Sequence, residues 1–267
     1  MAWSKTLVRG DVHMTTTAPT TRSIDLLRAV VFDMDGVIVD SHPAHRKAWR
    51  RFLRTIGRDV TNRELDFILD GRKRRDILSH FLGPVSEAKL VEYGKRKDEF
   101  FQQSAPEVKP IPGITEFLIH LNENGLVTAV ATSASETRTR STLERLRLQN
   151  YFSVVLTGND VENGKPDPAI YRLACRRLNA LPESVLAIED AVSGIQAARG
   201  AGLKCLGVAR DSNAEKLRGA GAIHVIRSFA GLSLKKLKGM LDLTWCPTNV
   251  TGSEVYVRKV IASSDPS

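Results

Sequence analysis

Ala29-Val30-Val31-Phe32-Asp33-Met34-Asp35-Gly36-Val37 is the stretch on which the fold turns. Its first four residues are all apolar and read as a strand buried on both faces, the kind found inside parallel sheets. Open sheets of that class place their chemistry at the carboxyl ends of the strands. Asp33 and Asp35 stand at such an end, and Gly36 suits the tight turn that follows. Side chains of a strand alternate with period two, so the two carboxylates are expected on one side, Asp35 one pleat beyond Asp33. Ionised carboxylates beside apolar residues are costly unless paired, hydrogen-bonded or bound to a metal. A solvated strand-end turn is the plain alternative, because Asp and Gly are common turn residues.

Immediately downstream, His45, Trp49, Phe52, Leu53 and Ile56 recur at helical spacing. Further helices are expected near residues 62–69, 75–81 and 87–102, punctuated by Gly57, Gly71 and Gly83, and the run stops at Pro110-Ile111-Pro112-Gly113. Helix and strand then alternate: helix 114–122, strand 126–132, helix 136–146, strand 153–156, helix 168–178, strand 184–188, helix 194–201 and strand 204–208. A short strand at 224–226 and a helix at 232–241 close the pattern. Strict alternation means a parallel sheet with helices on both faces. The expected fold class is therefore α/β. Residues 23–40 and 110–241 form a Rossmann-like core, and residues 41–109 form an inserted helical domain. The Thr-rich segment 1–22 is expected to be a disordered tail, with Met14 a second candidate start, and 242–267 is an extension of mixed character.

A chain of 267 residues can bury one core and a small second module. No run of eighteen apolar residues or signal-like apolar core is present, so no membrane partner is expected. Cys175, Cys205 and Cys246 have neither metal-ligand spacing nor an even count, which makes the cytoplasm the expected compartment. A net charge of +9 raises the question of a polyanionic partner. The excess is local, however: residues 41–109 carry sixteen Lys and Arg against ten Asp and Glu, densest at Arg72-Lys73-Arg74-Arg75 and Lys95-Arg96-Lys97. Such runs are ordinarily solvated helix faces. A basic module poised over a phosphate site is the sharper reading, and no nucleic-acid partner is expected.

Three later strand ends carry polar groups suited to phosphate. Thr132-Ser133-Ala134-Ser135 leads from a strand into a helix, where hydroxyls and free N–H groups can receive phosphate oxygens or simply cap the helix. Lys165 lies in Asn163-Gly164-Lys165-Pro166-Asp167-Pro168, just before another helix. Glu189-Asp190 ends a further strand, and with Asp33 supplies three hard carboxylate ligands of the kind that suit Mg²⁺.

In this order, and on these elements, the four motifs resemble those of the haloacid dehalogenase superfamily of phosphohydrolases and phosphomutases, from about Arg28 to about Leu241. The helical insertion resembles the cap of its β-phosphoglucomutase-like branch. The resemblance implies that Asp33 is the nucleophile, forming an aspartyl phosphate, and Asp35 the general acid and base. It implies that Ser133 and Lys165 bind the phosphoryl group, with Thr132 a neighbour that could take the serine's part. Mg²⁺ would be held by Asp33, Asp35 through its main-chain carbonyl, Glu189 and Asp190. In the cap it implies that His45 is a hinge-side histidine contacting the general acid, that Arg74 grips the substrate's far phosphate, with Arg72 or Arg75 replacing it after a small shift, and that Lys97 is a further substrate-side lysine. The mutases carry Lys-Asn after the Ser-Ala-Ser string, where this chain has Glu136-Thr137. A carboxylate there would repel a second phosphate unless Arg138 or Arg140 turns in. The expected activity is thus a phosphatase for small phosphorylated metabolites, sugar phosphates first, working as a monomer or weak homodimer. β-Phosphoglucomutase activity is the alternative. An inert basic nucleic-acid-binding protein on the same fold is disfavoured by the joint presence of Asp33, Asp35, Lys165 and Asp190.

Overall fold

The structure is a computed structural model, and it describes residues 27–209 and 213–241. The expected tail at 1–22 and the extension at 242–267, with Cys246, lie outside the described residues. The chain runs through β1 (Ala29–Phe32), β2 (Val39–Asp40), α1 (His42–Thr55), α2 (Asn62–Ile68), α3 (Arg74–Leu82), α4 (Glu87–Gln102) and β3 (Lys109–Pro110). It continues through α5 (Ile114–Glu123), β4 (Val127–Ala131), α6 (Glu136–Arg145), β5 (Val154–Leu156), α7 (Ala169–Leu178) and β6 (Val185–Glu189). Last come α8 (Val192–Gly200), β7 (Lys204–Val208), α9 (Ala214–Gly219), β8 (His224–Ile226) and α10 (Leu234–Leu241).

Six strands form one parallel sheet in the order β5-β4-β1-β6-β7-β8, with β1 between β4 and β6. Alternation along β1 builds both halves of the core. Val30 and Phe32 face one layer, where Phe32 meets Phe117 and Phe152 edge-on at 6.3 and 6.1 Å. Ala29 and Val31 face the other, lined by small residues such as Ala129, Ala187, Ala197 and Ala198, which let α7 and α8 lie close to the sheet. The register sets Phe32 opposite Val130 on one side and Ile188 on the other, so the three strands end level with one another. Groups that follow them in sequence are thereby gathered at one edge.

Helices α1 to α4 bury a separate apolar cluster that includes Trp49, Phe52, Leu53, Leu65, Ile77 and Leu78. A capping box at Thr61 and Glu64 starts α2. The insertion leaves and re-enters the core through β2 and β3, an antiparallel pair with Val39 opposite Pro110 and Asp40 opposite Lys109. Two-residue strands carry too little periodicity to be anticipated, and Pro110 is tolerated because the pair has only edges. Much of the insertion's basic surface is answered locally: Arg46 by Asp66, Arg54 by Asp59, Arg58 by Glu64 and Arg75 by Glu87. No helix of the described residues is long and apolar enough to cross a membrane.

One expectation needs correction. β1 ends at Phe32, and Asp35 is not a further pleat of it. Asp33 N–H still donates to the Ile188 carbonyl at 3.0 Å, but the chain then turns back, with Gly36 N–H on the Val39 carbonyl at 2.8 Å. The turn, rather than strand alternation, presents Asp35 to the same cavity as Asp33. Gly36 has φ +83°, and a side chain there would also strike the Asp190 carboxylate, its Cβ lying 1.9 Å from Oδ2.

Candidate active site

The sheet edge brings together all four expected motifs. Lys165, buried, donates from Nζ to Asp33 Oδ1 at 2.5 Å, to Glu189 Oε1 at 2.6 Å and to the Ala131 carbonyl at 3.0 Å. Glu189 Oε1 also accepts from the Tyr171 hydroxyl at 2.7 Å. Burial disfavours the Lys165 charge, but Asp33 and Glu189 more than offset this and raise its pKa. Asp33 is pushed well above the usual carboxylate range by burial, against the pull of Lys165 and with the help of Glu189 and Asp190. Burial likewise raises Glu189.

Asp33, Glu189 and Asp190 each offer an oxygen within 4.8 Å of the other two. Three carboxylates facing one ammonium are an electrostatic deficit that a hard divalent cation matches in both charge and ligand type. The residues present therefore fit Mg²⁺. Asp35 has no side-chain oxygen in this group. Asp190 also meets His42 Nε2 at 3.1 Å.

The Asp35 carboxylate is held from three sides. Arg138 donates from Nη1 to Oδ1 at 2.8 Å and from Nη2 to Oδ2 at 2.6 Å, a two-pronged pair. Ser41 Oγ donates to Oδ1 at 2.6 Å, and His45 Nε2 lies 3.3 Å from the same oxygen. Burial alone would raise Asp35, yet Arg138 and, after it, His45 hold it well below the usual range. His45 is itself pushed down to about 3 by burial and by Lys97, so its ring is neutral. A neutral ring beside a carboxylate places the proton on Nε2 and leaves Nδ1 to accept from Lys97 Nζ, 3.3 Å away.

Lys97 is buried against Trp49 and Phe101, its Nζ 5.6 and 4.9 Å from the ring centroids. Burial first, and Arg138 next, lower its pKa from 10.5 to about 7. Below about pH 7 the folded protein thus bears the whole cost of burying this charge, a cost relieved as pH rises toward the unfolded value. Lys97→Met is accordingly expected to stabilise the protein by a few kcal/mol at pH 6, each tenfold change in proton affinity being worth ~1.4 kcal/mol, and by little at pH 10. Urea melts at the two pH values check this. An equal change at both would show that Lys97 does not titrate between them.

Asp33, Asp35 and Ser133 line one cavity of about 330 Å³, closed on its other side by the insertion. There Arg74 lies on the wall with Nη2 on Asp98 Oδ2 at 2.6 Å. Of its two alternatives, Arg72 stacks over Phe67 at 4.8 Å and pairs with Asp70, while Arg75 is taken by Glu87. The loop between α2 and α3 sits on the core's strand ends. Ser133 Oγ donates to the Gly71 carbonyl at 2.6 Å, Ser193 Oγ to the Asp70 carbonyl, and Lys73 Nζ to the Val161 and Glu162 carbonyls at 2.7 and 2.9 Å. Thr132 Oγ1 accepts from Ala134 N–H at 3.1 Å, the turn-capping duty that leaves Ser133 as the hydroxyl facing the insertion.

Glu136 does not line the cavity. It faces outward onto Arg140 at 2.8 Å, so its charge is not an obstacle to a second phosphate, contrary to expectation. Arg138 does turn in, and its bond to Asp35, 103 residues away, had no local signal beyond the buried helix face it shares with Thr139, Thr142 and Leu143. His42 and Tyr171 were equally unmarked, although Tyr171 lies on the buried face of α7 with Ile170, Ala174 and Cys175.

Comparison with known proteins agrees with this geometry. The model of the family described as haloacid dehalogenase-like hydrolase matches residues 30–208. A phosphorylated carbohydrates phosphatase of Thermotoga maritima is 36% identical over 205 residues, covering 75% of this chain and 94% of the relative. β-Phosphoglucomutase of Bacillus subtilis is 29% identical over 221 residues, covering 79% and 94%. Among solved structures, a β-phosphoglucomutase from Clostridium difficile superposes with a TM-score of 0.73 at 26% identity, covering 81% of this chain and 98% of that one. With its motifs on four neighbouring strand ends and its match running through both sheet and insertion, the chain belongs to the haloacid dehalogenase-like hydrolases.

Proposed function

We propose that this enzyme hydrolyses phosphate monoesters of small metabolites, phosphorylated sugars first, through a phosphorylated Asp33. The observation that carries the reading is the meeting of Asp33, Asp35 and Ser133 around one cavity, with Lys165 buried against Asp33 and with Glu189 and Asp190 clustered beside it. Asp33 attacks phosphorus, the ester P–O bond breaks, and Asp35, which takes up a proton from solvent against the pull of Arg138, supplies the proton that the departing alcohol needs. Water then attacks phospho-Asp33 while Asp35, ionised and kept in place by Ser41 and His45, takes its proton, and inorganic phosphate leaves. Lys165 and Ser133 hold phosphoryl oxygens, the serine after giving up its bond to Gly71. Mg²⁺ bound by Asp33, Glu189, Asp190 and the Asp35 main-chain carbonyl would neutralise phosphoryl charge.

Residues 41–109 act as the cap, with His45 orienting Asp35 and Arg74 and Lys97 facing the alcohol portion of the substrate. We place the enzyme in the cytoplasm, as a monomer or weak homodimer with no nucleic-acid partner; the free thiols of Cys175 and Cys205 support the compartment, and the locally paired basic surface supports the lack of a polyanionic partner. Phosphatase is preferred to mutase because the phosphatase relative is the more similar, at 36% against 29% identity.

The test incubates the protein and Mg²⁺ with β-glucose 1-phosphate and a trace of glucose 1,6-bisphosphate, following free phosphate and glucose 6-phosphate together. Free phosphate without glucose 6-phosphate is expected, and its release should stop in excess chelator. Glucose 6-phosphate without phosphate release would make the enzyme a mutase. Undiminished turnover in chelator would overturn the metal assignment.

A further inference from the structure

We propose that Arg138 determines specificity: it selects phosphate monoesters whose alcohol portion bears a second acidic group, by exchanging the Asp35 carboxylate for that group. The inference rests on the phosphohydrolase reading above and goes on to name the substrate class. Arg138 is buried in the first turn of α6, its guanidinium 5.2 Å over the Phe101 ring, and it lines the same cavity as Asp35. Both of its terminal nitrogens are engaged on the two oxygens of Asp35, so its fork already grips a planar two-oxygen acid at the edge of the substrate space.

The charge inventory of this wall leaves room for one more anion. Arg138 and Arg74 line it, joined below about pH 7 by the charge of Lys97, and the acids that answer them are Asp35 and Asp98, the latter shared between Arg74 at 2.6 Å and Lys97 at 3.6 Å. With Lys97 protonated, three basic groups face two carboxylates. The exchange is also cheap for Asp35, which keeps Ser41 and His45 as partners when the fork turns away. A substrate without a second acid offers Arg138 nothing in return. A buried guanidinium does not leave its partner unpaired, so with such a substrate the fork stays on Asp35 and holds it from the leaving oxygen. Sites built around a buried polar partner reject analogues that lack the matching group far more strongly than apolar pockets reject a change of size.

Two matched pairs test this by kcat/KM: phosphoglycolate against ethyl phosphate, and glucose 1,6-bisphosphate against glucose 1-phosphate. The wild type is expected to favour the acid-bearing member by at least about tenfold, a conservative reading of such discrimination. Preference within one pair only would identify the group as a carboxylate or as a phosphate. In Arg138→Gln the ratio should fall toward one through a raised KM for the acid-bearing member, and Arg138→Lys, with charge but no fork, should lie between. If Arg138→Gln does not fold, the wild-type ratios and Arg138→Lys decide. A wild-type ratio near one in both pairs, or a ratio unchanged in the variants, would overturn the assignment and reduce Arg138 to a strap between α6 and the turn after β1. Hydrolysis of none of the four esters would instead overturn the phosphohydrolase reading, and this inference with it.

Discussion

Asp33→Asn should lower phosphate-ester turnover by at least about a thousandfold, the scale of loss when a nucleophile is removed from a site whose binding groups remain. The amide matches the carboxylate in shape but cannot form the aspartyl phosphate. It should also leave the fold intact, because Lys165 keeps Glu189 at 2.6 Å and the Ala131 carbonyl at 3.0 Å. Loss of turnover with a nearly unchanged melting temperature is therefore the expected pair of results. Residual activity above a few per cent of wild type, once traces of contaminating phosphatase are excluded, would sink the assignment of Asp33.

Lys165→Met should act in the opposite manner, chiefly on stability. Nζ is the only cation that reaches both Asp33 and Glu189 among the described ion pairs, and all three side chains are buried. Removing one partner of a buried ionic cluster typically costs about 3 to 5 kcal/mol, because the charges left behind have neither water nor a counter-ion. In a chain of this size that corresponds to a fall in melting temperature of roughly 10 °C. Combining Lys165→Met with Asp33→Asn should cost less than the sum of the two, since the second change removes one of the stranded charges. Strict additivity in a thermal-melt cycle would mean that the lysine and the aspartate do not share the interaction their 2.5 Å separation indicates.

The parts of this site that could be read in the sequence share one property: they sit at the ends of elements whose pattern is local. An apolar run followed by Asp33, or by Glu189 and Asp190, declares both the strand and its mouth. The parallel sense of the sheet needed nothing more than strict alternation of helix and strand. What could not be read depends on contacts between distant segments. Arg138 and His45 reach Asp35 from different helices; the family resemblance pointed to His45, but the pattern of α6 does not say which residue of its buried face points at an acid. The pleat argument for Asp35 failed because Gly36 permits a reversal that period-two reasoning ignores. Glu136 failed for a similar reason: position four residues before Arg140 gave it a partner outside the cavity.

The narrow antiparallel neck of β2 and β3 has a wider meaning. Because Asp40 and Lys109 stand opposite each other, the two points where the insertion joins the core are only a strand's width apart, about 5 Å. A short reversal could seal that gap without disturbing the register of β1, so the core has no geometric need for this particular set of helices. Insertions of other lengths could be grafted onto the same neck while Asp33, Lys165 and Glu189 kept their spacing. Bond-breaking chemistry and the insertion's share of the cavity wall thus occupy separately exchangeable lengths of chain, free to diverge at different rates, while Arg138 stays with the core.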